Sequence, residues 1–64
     1  MMRDRLIPLA EVADLIGVAR STLWCWRHRD EGPPSFKVGD RVVYRASELD
    51  AWIAEQEAQT RRGG

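Results

Sequence analysis

The stretch LAEVADLIGVARSTLWCW, running from Leu9 to Trp26, decides how this chain folds. Leu9, Val12, Ala13 and Ile16 recur at helical spacing with Leu15 beside them, so residues 9–16 are predicted to form a helix with one apolar face. Pro8 can occupy its first turn, where the missing N–H does no harm. Gly17 stands where a left-handed C-cap is favoured. A second helix is expected from Arg20 to about Arg29, with Leu23 and Trp26 inward and Arg20, Ser21, Trp24, Arg27 and His28 outward. Ala13 then supplies a small side chain where the helices cross, Gly17 makes the turn, Val18 fills the corner, and Leu23 and Trp26 anchor the second helix. Two short helices joined by a tight Gly turn are the sequence form of a helix-turn-helix. A plain helical hairpin inside a small bundle satisfies the same spacing.

Outward from that core, Glu31-Gly32-Pro33-Pro34 stops the second helix, since Pro cannot continue a helix and restricts the residue before it. A hairpin follows: Phe36-Lys37-Val38, the turn pair Gly39-Asp40, and Arg41-Val42-Val43-Tyr44-Arg45. Period-two alternation puts Phe36, Val38, Val42 and Tyr44 inward and Lys37, Val43 and Arg45 outward. A last helix is expected from Ser47, with Asp50 three residues on making a near capping box. Leu49, Trp52 and Ile53 form its buried stripe. The predicted architecture is mostly helical α+β: helix-turn-helix, a two-stranded hairpin wing, and a C-terminal helix. Residues 1–60 are expected to form one domain, and residues 61–64 a short basic, Gly-ending tail, with fraying from Thr60.

Size and composition narrow the function. Sixty-four residues make one small domain, and a domain of about 60 residues buries only about 60% of its unfolded surface. That leaves little room for an enclosed catalytic cleft or a small-molecule substrate. The single Cys25 forms no internal disulfide, and beside His28 it offers only two metal ligands. No spacing requires a nucleophile–base pair. Catalysis, a metal and a cofactor are therefore not expected, and apolar packing with three Trp, one Tyr and one Phe must hold the fold. No apolar run approaches the roughly 18 residues of a membrane span, and the first residues lack a signal-peptide apolar region, so a cytoplasmic location is expected.

Ten basic and ten acidic residues give a formal net charge of zero, which at first argues against a nucleic-acid partner. By segment the balance is −1 over residues 1–16, +3 over 17–45 and −2 over 46–64. The basic stretch coincides with the second helix and the hairpin. Nine of the ten cations are Arg, whose planar fork suits phosphate and guanine edges. The hydroxyls of Ser21 and Thr22 suit phosphate or base edges, and an outward Trp24 can lie along a sugar-phosphate backbone. Lys37 and Arg41, near the hairpin tip, can reach a minor groove or phosphate. For any one of these side chains an ordinary solvated position is the simpler explanation. The combination favours DNA.

With those residues in view, Leu9 to Trp26 resembles the first half of the excisionase and MerR-like winged-helix DNA-binding family. Pro34 to Arg45 resembles its wing, and Ser47 to Ile53 its closing helix. The resemblance spans residues 6 to 57, and its nearest relatives in character are phage excisionases, the recombination directionality factors. It implies a recognition helix from Arg20 in the major groove of double-stranded DNA and a wing around Gly39 to Arg41 in the adjacent minor groove. By motif position the implied contacts are Arg20, Ser21, Thr22, Trp24 and Arg27 on the helix, and Lys37 and Arg41 on the wing. Also implied are DNA bending, cooperative binding beside neighbouring copies, a phage integrase as partner, and a place on the nucleoid of a bacterial host. Pro8 and Ala19 depart from the family's usual Ser or Thr caps, and Cys25 from a frequently basic position. A small transcriptional regulator uses the same fold. A protein-interaction adaptor, meeting its partner through Trp24 and the acidic last helix, is the reading from another class.

Overall fold

A computed structural model describes residues 4–63. The last residue of the expected tail, Gly64, lies outside the described residues. The elements run β1 (Leu6–Pro8), α1 (Leu9–Ile16), α2 (Arg20–His28), β2 (Phe36–Val38), β3 (Arg41–Arg45) and α3 (Ala46–Thr60). This is a winged helix-turn-helix of the expected α+β class, with one strand more than the sequence indicated. The sheet is antiparallel in the order β1-β3-β2, so β3 is central. β1 escapes sequence reading because three residues ending in Pro carry no alternation.

The helix-turn-helix forms for the reasons the sequence supplies. α1 begins after Pro8, which sits at the N-cap, just outside the helical turn expected for it, and offers no side-chain cap. Gly17 ends the helix at φ 78°, where its N–H and that of Val18 both donate to the Ala13 carbonyl, at 2.9 and 3.0 Å. A β-branched or bulky residue there would be strained, since left-handed backbone costs an L-residue about 1–2 kcal/mol. Val12, Ala13 and Leu23 are fully buried where α1 and α2 cross. They join Ile7, Val42, Tyr44 and Leu49 in one core.

The hairpin corrects the inward and outward assignment. Its loop holds two residues, Gly39 and Asp40, so Val38 pairs with Arg41, Lys37 with Val42 and Phe36 with Val43. Directly opposed residues share a sheet face. Phe36 and Val38 therefore lie with Val43, on the face opposite to Val42 and Tyr44. Val38 is 52% exposed, whereas Val43, expected outward, is buried at 7%. Val43 is covered because both neighbouring strands place an apolar residue against it, Pro8 from β1 and Phe36 from β2. The Arg45 guanidinium lies over the Phe36 ring at 5.2 Å on that same face.

The last helix departs from expectation in two ways. It starts at Ala46, and the capping box of Ser47 and Asp50 does not form. Its cap comes from Asp4: the Ser47 N–H donates to Asp4 Oδ1 at 3.1 Å, and the Ser47 hydroxyl donates to Oδ2 at 2.5 Å. The Ala46 N–H donates to the Arg5 carbonyl at 2.9 Å. A carboxylate at a helix N-terminus is favoured by the helix dipole. The two Ser47 bonds hold the Asp4 carboxyl below its ordinary 3.8. The second departure concerns the stripe: Leu49 is buried and Trp52 half-buried, but Ile53 is 40% exposed. α3 and the end of α1 do not close on each other, and a groove of about 290 Å³ between them is lined by Leu15, Val18, Trp52 and Ile53. Trp26, also expected inward, is half-buried and meets Trp52 at 6.1 Å between ring centroids. α3 continues to Thr60, whose hydroxyl donates to the Gln56 carbonyl, so the helix includes a residue expected to fray.

Candidate nucleic-acid interface

α2 presents a polar face because its apolar residues are spent on the core. Leu23 is buried and Trp26 half-buried, which turns Arg20, Ser21, Trp24, Cys25 and His28 to solvent. The helix opens from Ala19 with no side-chain cap, so its first N–H groups are free of one. Thr22 is half-buried, one position round from the exposed face. Trp24 is 42% exposed and stacks on His28, four residues later, at 4.6 Å between centroids and a 56° tilt. That tilted contact places an indole beside an imidazole at the surface. His28 lay outside the implied DNA contacts, although its i,i+4 spacing from Trp24 carried the signal.

The remaining expected contacts divide by position. Arg27 borders the core side of α2; it is half-buried and its Nε is enclosed. Lys37 and Arg41 are exposed on the hairpin, but Lys37 pairs with Val42 and Arg41 with Val38, so they leave the wing from opposite faces. Arg20, Ser21 and Trp24 thus share one helical face, while Lys37 and Arg41 flank the wing tip on either side. Among the described residues, the ion pairs are Arg5–Glu11, Arg29–Glu31 and Arg61–Glu57. Arg20, Arg27, Lys37, Arg41 and Arg45 take part in none of them. Among the described residues the cations of α2 (Arg20 and Arg27) and of the wing are therefore in no ion pair within the protein.

Residues 9–57 match the family model described as "Helix-turn-helix domain". The chain belongs to this helix-turn-helix family. A helix-turn-helix domain of this kind is a DNA-binding unit of a typically non-enzymatic family. The helix-turn-helix protein is also 34% identical over 62 residues to "Uncharacterized protein ORF88" of Enterobacteria phage P4, covering 95% of this chain and 70% of that one. No solved structure matches it. Among the described residues no cluster of three or more His, Cys, Asp or Glu side chains is placed to hold a metal ion. No helix among them is long and apolar enough to cross a membrane.

Proposed function

We propose that this helix-turn-helix protein is a phage excisionase, an architectural factor that binds and bends attachment-site DNA so that a partner integrase favours excision. The observation that carries the reading is the solvent-facing side of α2, where Arg20, Ser21 and the Trp24–His28 stack stand together beside a wing carrying unpaired Lys37 and Arg41. A phage relative along nearly the whole chain supports the phage setting. In this reading α2 lies in the major groove, with Arg20 and Ser21 at base edges and Trp24 along the backbone. The wing enters the adjacent minor groove, Lys37 toward one strand and Arg41 toward the other. The protein does no chemistry: it holds DNA in a bent path. Neighbouring copies on repeated sites add affinity that one small interface lacks.

The test has two stages. Binding to duplex DNA is measured across a salt series, and log K should fall by about 0.9 per log unit of salt for each phosphate neutralised. Excision is then assayed with the cognate integrase, with and without the protein. Sequence-specific binding with excision stimulated supports the excisionase. Specific binding with excision unchanged and a promoter repressed assigns the transcriptional regulator instead. Weak, salt-insensitive binding points to the protein-interaction adaptor.

A further inference from the structure

Where the C-terminal end of α2 meets the loop leading to the wing lies a cleft that sequence patterning does not mark. Arg27 in the last turn of α2 and Ser35 just ahead of β2 face a cavity of about 360 Å³ whose rim includes Asp30 and Glu31. Behind it, Tyr44 of β3 is only 1% exposed, the largest fully buried side chain of the core. Its hydroxyl has no hydrogen-bond partner in the protein, and neither has Arg27 Nε. The hydroxyl lies beside Ser35 and within the field of the Arg27 charge, without the geometry of a hydrogen bond to either. Burial raises the phenol above its ordinary 10, and Ser35 and Arg27 oppose that rise. Buried polar groups in native proteins are nearly always paired, so two unpaired ones at one junction call for an explanation. Their chemistries are complementary, since Nε–H only donates whereas a phenol oxygen also accepts.

A helix in the major groove and a wing in the adjacent minor groove have one sugar-phosphate strand between them. On this protein the segment that joins α2 to the hairpin forms the wall of the cleft, facing Arg27. We propose that the cleft takes a single backbone phosphate of duplex DNA, held by the Arg27 guanidinium and the Ser35 hydroxyl, with the Tyr44 hydroxyl as a positioning group behind Arg27. The proposal rests on the major-groove placement of α2. With the phosphate bound, Arg27 Nε donates to the Tyr44 oxygen, a bond absent from the unbound protein, which leaves the terminal guanidinium nitrogens to grip the phosphate as a fork. Of the rim carboxylates, Glu31 leans toward Arg29 at 3.9 Å, while Asp30 pairs with no cation among the described residues. The rim therefore disfavours a free anion, so the phosphate has to be one delivered on a duplex that other contacts already hold.

The experiment measures binding of the whole chain to a mixed-sequence duplex of about 20 base pairs across a salt series, because phosphate contacts set the salt slope. Tyr44→Phe keeps the packing and removes one oxygen. It should weaken binding about three- to tenfold, the worth of one hydrogen bond, while leaving the melting temperature unchanged or raised. Arg27→Gln should lower the salt slope by about 0.9, one phosphate's share. Tyr44→Phe should reproduce part of that drop although it carries no charge, which a purely structural tyrosine does not do. Ser35→Ala should weaken binding similarly, and the Arg27→Gln/Tyr44→Phe double variant should bind no more weakly than Arg27→Gln alone. Tyr44→Phe and Ser35→Ala with wild-type affinity and slope overturn the cleft while leaving the DNA-binding reading intact. A wild-type chain that does not bind the duplex overturns both.

Discussion

Two glycines with nearly the same backbone give a controlled comparison. Gly17 has φ 78° and Gly32 φ 76°, so an Ala at either carries the same left-handed penalty. They differ in surroundings. A Cβ at Gly17 meets nothing within 4 Å, whereas one at Gly32 falls 3.0 Å from Trp26 Cε3 and 3.3 Å from Trp26 Cβ. The backbone penalty is about 1–2 kcal/mol, reduced by the smaller entropy of the unfolded Ala chain, so Gly17→Ala should cost about 1 kcal/mol. Gly32→Ala must in addition displace the indole or the loop, and overpacking typically costs about 1–3 kcal/mol more. Shifting the indole also disturbs its contact with Trp52 on α3. A domain of this size has total stability of about 3–10 kcal/mol, so Gly32→Ala consumes a large share. Urea unfolding followed by tryptophan fluorescence and by circular dichroism measures both variants. Equal destabilisation of the two would refute the reasoning, because it would mean that the 29–35 loop moves off Trp26 without cost.

Other outcomes test the sheet, the cap and the recognition face. Val43→Ala should lose about 1.5 kcal/mol by chemical denaturation, for roughly two buried methyl groups, whereas Val38→Ala on the same face stays within about 0.5 kcal/mol; the reverse order would contradict the register. Because Ser47 lowers the Asp4 carboxyl in the folded state, its contribution is complete above 3.8 and lost as pH falls through the lowered folded value. Asp4→Asn should therefore be less stable than wild type at neutral pH, with the gap closing on acidification; urea midpoints from about pH 2 to 7 read this, and a pH-independent gap would remove the cap from the account. Arg20→Ala should cost about 1–3 kcal/mol of specific DNA binding with no change in melting temperature; unaltered affinity would take Arg20 off the base edges.

Local chemistry made the helix-turn-helix legible in sequence. Ala13, Gly17 and Leu23 each answer a steric need within ten residues of one another, and the structure keeps all three in those roles. The exposed face of α2 was largely readable, because helical spacing alone turns Ser21 and Trp24 away from Leu23, while Arg20, only three positions before Leu23, reaches solvent from the first turn of the helix. The failures are all non-local. The inward set for the hairpin came from alternation within each strand, but a two-residue loop pairs Phe36 with Val43, and pairing decides the face. The cap of α3 comes from Asp4, far away in the chain, so no local box reveals it. Ile53 obeys helical period and is still exposed, because the neighbouring end of α1 does not close over it. Tyr44 reads as an ordinary core aromatic, and only its setting beside Arg27 and Ser35 gives its hydroxyl significance.

The tie between Asp4 and Ser47, with β1 alongside β3, has a consequence for how the molecule assembles. α1 packs on α2 and β2 on β3 through short loops that close cheaply, but pairing Ile7 with Tyr44 closes a loop containing the entire helix-turn-helix. That closure is the entropically expensive step, and it is also the one that locks the two helices to the sheet. Fraying at the edge strand therefore does not stay at the edge: Ile7 belongs to the same buried core as Val12, Leu23, Val42 and Tyr44, so losing it opens the seam between helix pair and hairpin. Exchange of the Ile7 amide, in the middle of that short strand, should accordingly track unfolding of the whole domain rather than local breathing of a terminus.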